Sequence, residues 1–142
     1  MKKANRVWIA DDDRSIRWVL EKALLQADID AECFENGDLL LTQLEMDKPD
    51  AIISDIRMPG TDGLTLLGKI ADRYPNLPVI ITTAHSDLDS AVASYQGGAF
   101  EYLPKPFDID EAVATTRRAL EHAGKQAATQ EAGSENSPSP EI

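Results

Sequence analysis

Short runs of apolar residues alternate with amphipathic segments along the first 123 residues. Short apolar runs predict buried strands, and apolar positions three or four residues apart predict helices. The predicted strands lie at 7–10, 31–34, 51–54, 78–82 and 100–103. The helical patterns between and after them lie at 16–27, 40–44, 64–74, 88–95 and 109–123.

This regular alternation of strand and helix predicts an α/β fold. Short strands that are nearly all apolar are typical of a parallel sheet with helices on both faces. Right-handed crossovers leave few topologies for five such βα units. We therefore predict a doubly wound (βα)5 fold, a five-stranded parallel sheet of order 2-1-3-4-5. Trp8 and Trp18 are expected to be buried or partly covered.

The composition changes near residue 123. Residues 124–142 are rich in small and polar residues and contain one large apolar residue, Ile142. Such a segment buries too little apolar surface to offset the entropy of ordering itself. We predict a folded domain over residues 1–123 and a flexible linker or tail over 124–142. Because the tail stops abruptly, we expect a second domain that is absent from this chain.

Charge and cysteine content narrow the possible functions. Twenty-five acidic and 14 basic residues give a formal net charge of −11, which disfavours direct binding to nucleic acid or to an anionic membrane. No apolar window approaches the roughly 18–20 residues of a membrane span. The single cysteine, Cys33, cannot form an internal disulfide. We expect a cytoplasmic protein.

Polar residues come at or just past the ends of several predicted strands. Ligands of doubly wound sheets bind outside the carboxyl ends of the strands, so these side chains are expected to share one edge. Carboxylates gathered there repel each other unless a cation lies among them, and hard oxygen ligands suit Mg²⁺. These candidate site residues are Asp11, Asp12, Asp13, Asp55, Thr83 and Lys105.

This set of residues is suited to phosphoryl transfer. A lysine can bind a phosphate, a threonine hydroxyl can donate to one, and a carboxylate can attack phosphorus. Asp55 is the predicted nucleophile, because it is the lone acid at the end of a buried strand. Asp13 precedes a helix, and we favour a role as its N-cap over a role in the site. The three consecutive aspartates leave open which of them face Asp55.

Four separated motifs resemble the receiver domains of two-component response regulators. They are Asp11-Asp12 and the segments 53–63, 82–85 and 102–107, and the resemblance covers residues 5–123. Further stretches resemble the nitrogen-regulatory receivers of sigma-54 activators. Those stretches are 15–21, 34–37, 83–89 and 104–113.

The resemblance implies a flavodoxin-like receiver fold and a role for each site residue. Asp55 would accept a phosphoryl group from the phosphohistidine of a sensor histidine kinase. Asp12, Asp55 and the backbone carbonyl of Arg57 would bind Mg²⁺ directly, and Asp11 would act through water. Lys105 would bind the phosphate.

The resemblance also implies a conformational switch. Thr83 and Ala84 would respond to the phosphate, Tyr102 would change rotamer, and the loop at 84–89 would move with the following helix. The peptide bond between Lys105 and Pro106 would be cis. The chain would be a phosphoacceptor rather than an enzyme, without catalytic residues of its own beyond this reaction.

The implied partners follow from the same family. The kinase would dock near Arg14, Ser15 and Trp18 on the first helix. A full-length protein would carry an AAA+ ATPase and a helix-turn-helix DNA-binding domain for nitrogen-regulated, sigma-54-dependent transcription; this chain has no Walker A motif. A homodimer could form through helix 4, strand 5 and helix 5.

Two other classes compete with this interpretation. A Mg²⁺-dependent phosphatase of the haloacid dehalogenase type would use Asp11 and Asp13 as its Asp-x-Asp pair, but it would leave Asp55 without a role and the chain has no room for a cap domain. A flavodoxin-type flavin module would need a phosphate-binding loop after the first strand, where three acids would repel the phosphate.

Overall fold

The computed structural model describes residues 5–84 and 88–136, which form the predicted doubly wound sheet. All strand pairs are parallel and the order is β2-β1-β3-β4-β5. The strands are β1 Asn5–Ala10, β2 Ile29–Phe34, β3 Ala51–Asp55, β4 Val79–Ala84 and β5 Glu101–Lys105. The helices are α1 Arg14–Gln26, α2 Gly37–Leu44, α3 Gly63–Arg73, α4 Leu88–Gln96 and α5 Ile109–Asn136.

Alternate residues of each central strand enter two separate cores, one on each face of the sheet. In β1, Trp8 faces the core that includes residues of α2 and α3, whereas Ile9 faces the core that includes residues of α1 and α5. Both faces of the central strands are therefore buried. This explains why β3 is apolar almost throughout and why period-two alternation is absent from the sequence.

Several strands run further than their apolar patterns predict. Asp55 is the last residue of β3, Thr83 and Ala84 close β4, and Lys105 closes β5. The hydrogen-bonded ladder continues past the apolar run, since the Ile56 amide donates to the Thr82 carbonyl at 3.0 Å. The polar residues are thus held by the sheet itself instead of by the loops that follow.

Helix α5 continues beyond the predicted end of the folded domain. Its backbone is helical to Asn136, where the composition predicts a flexible segment from residue 124. Residues 124–136 are rich in Ala, Gln and Glu, which favour helix without tertiary packing. The division into a domain at 1–123 and a tail at 124–142 stays a prediction. Residues 137–142, and His85 in the loop at 84–89, lie outside the described residues.

The two tryptophans differ in burial. Trp8 is 1% exposed, as predicted, whereas Trp18 is 61% exposed. Helix α1 turns Leu20 and Leu24 toward the sheet, which leaves Trp18 on its outer side with the Lys22 ammonium 5.3 Å from the ring centroid. None of the helices within the described residues has the length and apolar character that crossing a membrane requires.

Gly63 allows α3 to begin directly against the end of β3. Its amide donates to the Ile56 carbonyl at 2.8 Å. A Cβ at this position would contact the Asp55 carbonyl oxygen and would lie 2.6 Å from the Ile56 Cα. Neither backbone atom can move without displacing Asp55.

Gly63→Ala is expected to lower the free energy of unfolding by about 1–3 kcal/mol, because the added methyl group overpacks the backbone. The matched control is Gly68→Ala in the same helix, where nothing lies within 4 Å of the added Cβ. That change should raise the free energy of unfolding by roughly 0.5–1 kcal/mol. Urea denaturation followed by circular dichroism measures both, and wild-type stability of Gly63→Ala would contradict the proposed close contact.

Candidate functional site

Three carboxylates meet at the carboxyl ends of two neighbouring strands. Asp11 follows β1 and Asp55 ends β3, with Asp12 beside them. One carboxylate oxygen from each of the three lies within 4.8 Å of the others. Asp11 and Asp55 are 2% and 9% exposed, and Asp12 is exposed to solvent. Three oxygen ligands this close together, one of them open to water, fit a hard divalent cation such as Mg²⁺.

Asp13 has a different position and a different role. Its carboxylate accepts hydrogen bonds from the Ser15 amide at 2.8 Å and the Ile16 amide at 3.4 Å, so it caps α1. The carboxylates gathered beside Asp55 are thus Asp11 and Asp12, and Asp13 is outside the cluster. The sequence leaves open which of the three consecutive aspartates face Asp55. The geometry of this turn shows that they are Asp11 and Asp12.

Lys105 reaches the same cluster from β5, on the far side of β4. Its ammonium lies 3.1 Å from Asp11 Oδ2 and 3.4 Å from Asp55 Oδ2. Burial by itself would lower the pKa of Lys105, but Asp11 and Asp55 raise it above its ordinary value. The lysine therefore stays charged and forms ion pairs with two of the three carboxylates, Asp11 and Asp55. The peptide bond from Lys105 to Pro106 is cis, as the family resemblance implies.

The cluster carries more negative charge than Lys105 neutralises. Burial raises the pKa of Asp11, and the neighbouring Asp55 raises it further. A hydrogen bond from the Asp13 amide, 2.8 Å from Asp11 Oδ1, and the charge of Lys105 act in the opposite direction. The net rise in the pKa of Asp11 means that its ionised form is disfavoured, and a bound cation would relieve this.

Thr83 presents a buried hydroxyl beside this edge of the sheet. The residue is 1% exposed, and its Oγ1 has no hydrogen-bond partner within the described part of the chain. Buried hydroxyl groups are usually hydrogen-bonded, so an unpaired one is unusual. The Thr83 hydroxyl is therefore available to donate to a ligand oxygen. The next residue, Ala84, is exposed and lies opposite Lys105 in the register of β4 and β5.

The remaining predicted residues lie around the cluster. Arg57 is exposed and lies two residues after Asp55, at the start of the loop between β3 and α3. Tyr102 is half-buried on β5, and its ring meets that of Tyr95 from α4 edge to face at 6.3 Å. The structure thus places Tyr102 against α4 and not in the carboxylate cluster.

Two residues that shape the site carry little signal in the sequence. Arg17 donates from its guanidinium to the Asp11 carbonyl at 2.7 Å and so supports the turn that carries Asp11 and Asp12. Gly63 brings α3 against the Asp55 backbone. An arginine in a helix reads as a solvated charge. Both residues lie in segments that carry the family resemblance, 53–63 and 15–21, but only the tertiary contacts show what either one does.

Comparison with known proteins places this geometry in a family. The family model described as the response regulator receiver domain matches residues 7–117. The DNA-binding transcriptional regulator NtrC of Salmonella typhimurium is 62% identical over 120 residues, which cover 84% of this chain and 26% of that protein. The chain thus spans about a quarter of the length of the curated relatives it matches.

Two solved structures support the same relationship. The solution structure of the apo receiver domain of nitrogen regulatory protein C is 61% identical, with a TM-score of 0.76, and covers 86% of this chain and 98% of that one. Its BeF3-activated form has the same identity and coverage, with a TM-score of 0.72. The chain therefore belongs to the response regulator receiver domain family, as a receiver of the NtrC type.

Proposed function

We propose that this domain accepts a phosphoryl group on Asp55 from a sensor histidine kinase, in a reaction that depends on Mg²⁺. The observation that carries the proposal is the position of Asp55, whose carboxylate lies in an acidic cluster with the Lys105 ammonium 3.4 Å away. The Asp55 carboxylate would be the nucleophile. The neighbouring carboxylates would hold the cation, and Lys105 would bind the phosphate. The resemblance to receivers that a BeF3 adduct activates agrees with this assignment.

Asp12, Asp55 and the Arg57 carbonyl would hold Mg²⁺ directly, and Asp11 would hold it through water. When bound, the metal ion would supply positive charge to the phosphoryl oxygens and reduce the repulsion among the three carboxylates. The oxygen-rich cluster and the raised pKa of Asp11 support a cation at this place.

The chemical step needs little from the protein beyond position and charge. An Asp55 oxygen would attack phosphorus, and the bond between phosphorus and the kinase's histidine nitrogen would break, so that an aspartyl phosphate and a neutral imidazole remain. Lys105 would bind the transferred phosphoryl group. Its ion pairs with Asp11 and Asp55 already hold the ammonium where this charge would develop.

The phosphoryl group would act as a switch. It would draw in the Thr83 hydroxyl, which has no partner among the described residues, and displace Ala84 and the loop at 84–89. Tyr102 would then change rotamer and α4 would repack, because the Tyr102 ring contacts Tyr95 of α4. The two states would differ by a few kcal/mol, so phosphorylation would shift a population between them.

The wider role that we propose is that of a regulatory domain in the cytoplasm, a phosphoacceptor and not an enzyme. It would control sigma-54-dependent, nitrogen-regulated transcription through ATPase and DNA-binding domains outside this chain, with no direct nucleic-acid contact of its own. The kinase would dock near Arg14, Ser15 and Trp18, and Trp18 is 61% exposed. A homodimer would use the surface of α4, β5 and α5.

The haloacid dehalogenase alternative fits this geometry less well. It requires two aspartates two residues apart in one site, but Asp13 caps α1 and lies outside the carboxylate cluster. Asp55, which has no role in that mechanism, lies within the cluster. Turnover of p-nitrophenyl phosphate that is lost in Asp11→Asn and kept in Asp55→Asn would nevertheless favour it.

Asp55→Asn is expected to abolish phosphorylation, because the amide is a poor nucleophile. Incubation with acetyl phosphate and Mg²⁺ should add one phosphoryl group to the wild type, observed by mass spectrometry, and none to the variant. Asp13→Asn is the matched control, since asparagine is an equally good N-cap and this position lies outside the cluster. Stoichiometric labelling of Asp55→Asn would refute the assignment.

Asp12→Asn is expected to stabilise the metal-free protein, because it relieves repulsion among three clustered carboxylates. The free energy of unfolding should rise by about 0.5–1 kcal/mol without Mg²⁺. Added Mg²⁺ should stabilise the wild type by mass action and the variant much less. Thermal unfolding with Mg²⁺ and with EDTA measures both effects. Asp13→Asn, with the same change in net charge, should respond to Mg²⁺ as the wild type does, and an equal response from Asp12→Asn would contradict its role.

A further inference from the structure

The start of α2 packs tightly against the loop at 56–62, which joins β3 to α3. The Thr61 hydroxyl donates a hydrogen bond to the Asp38 carboxylate, across 23 residues of sequence. A Cβ at Gly60 would lie 2.5 Å from Asp38 Oδ2, and one at Gly37 would lie 3.0 Å from the Thr61 carbonyl oxygen. Each side of this contact thus has a glycine at the point of closest approach.

The ends of this loop are anchored in the sheet and the core. The Ile56 amide donates to the Thr82 carbonyl at 3.0 Å, and the Gly63 amide donates to the Ile56 carbonyl at 2.8 Å. Met58 is buried, whereas Pro59 and Gly60 are exposed. The bond from Thr61 to Asp38 therefore secures the outer part of the loop, which is exposed to solvent.

Asp38 itself stands on a rigid support. The Asn36 side chain caps α2 by accepting a hydrogen bond from the Leu39 amide at 2.9 Å. The Asp38 carbonyl accepts a hydrogen bond from the Thr42 hydroxyl at 3.0 Å. Leu40, in the same turn, is 0% exposed. Asp38 itself is exposed, but it belongs to a helical turn that is capped and is anchored in the core through Leu40, so its carboxylate can hold a loop in one conformation.

We propose that Asp38 is a positioning residue for the metal site, because its hydrogen bond with Thr61 holds the loop in the conformation in which Arg57 binds Mg²⁺. This inference rests on the proposed function, in which the Arg57 carbonyl and Asp55 are ligands. Arg57 lies four residues before Thr61 in the same short loop. A loop that is already ordered loses less conformational entropy when the ion binds, so the tether raises the affinity for Mg²⁺.

Thr61→Val tests the proposal without a change in charge, since it replaces the hydroxyl with a methyl group. Isothermal titration of the metal-free chain with MgCl₂ at constant ionic strength should give a dissociation constant about three- to tenfold weaker than that of the wild type. Thr61→Ser keeps the hydroxyl and should restore affinity. Asp38→Ala is the second variant, and in the double variant its effect should not add to that of Thr61→Val.

Asp47→Asn is the matched control at the other end of α2. Asp47 pairs with Arg6 at 2.5 Å and is also an exposed carboxylate, and it lies between α2 and β3, away from the start of α2 that carries Asp38. This variant should lose stability while its Mg²⁺ affinity stays within twofold of the wild type. A loss of affinity in Asp47→Asn equal to that in Thr61→Val would reduce the effect to general destabilisation and overturn the proposal.

Hydrogen exchange gives a second readout, because coupling between two sites is reciprocal. Mg²⁺ should slow exchange of the Leu39 amide in the wild type and in Thr61→Ser, and should leave it unchanged in Thr61→Val. Different outcomes test the proposed function and the role of Asp38. Absence of Mg²⁺ binding, or binding that Asp55→Asn leaves intact, would refute the proposed function. Binding that depends on Asp55 but has wild-type affinity in Thr61→Val would overturn the role of Asp38 alone.

Discussion

Repulsion among the clustered carboxylates is the constraint on which the arrangement of this domain depends. Asp11 and Asp55 are held side by side by neighbouring strands, and burial of Asp11 makes its charge costly. Lys105 offsets part of that cost from β5, with its ammonium within 3.4 Å of both acids. The negative charge that remains would be neutralised by a bound cation, which is why this cluster is a candidate metal site.

The same edge of the sheet also leaves hydrogen-bonding capacity unused. The Thr83 hydroxyl is buried and has no partner among the described residues, a costly arrangement unless a ligand completes it. An excess of charge and an unpaired donor both lower the stability of the ligand-free domain. A bound metal ion would reduce the excess charge, and a phosphoryl group would pair the donor. A site of this kind is less stable without its ligands and changes when they bind.

Strands and loops contribute to the site in different ways. The strands hold Asp55, Thr83 and Lys105 through a continuous ladder, so their backbone positions follow from the sheet. The loop at 56–62 has no such ladder, and its outer part is held by contacts with the start of α2. Thr61 is remote from the carboxylate cluster, yet its bond with Asp38 fixes part of the loop that follows Asp55.

The sequence by itself determined the order of elements, the parallel sheet and the placing of the aspartate run 11–13, Asp55, Thr83 and Lys105 at one edge. These follow from periodicity and from the rule that parallel strands end on the same side, which are local properties of the chain. The tertiary structure decided that Asp13 caps α1 while Asp12 joins the cluster, because three adjacent aspartates are distinguished only by the direction of the turn. It also decided the close contact of Gly63 with the Asp55 backbone and the hydrogen bond between Thr61 and Asp38. Both are contacts between different segments of the chain, which no local pattern records.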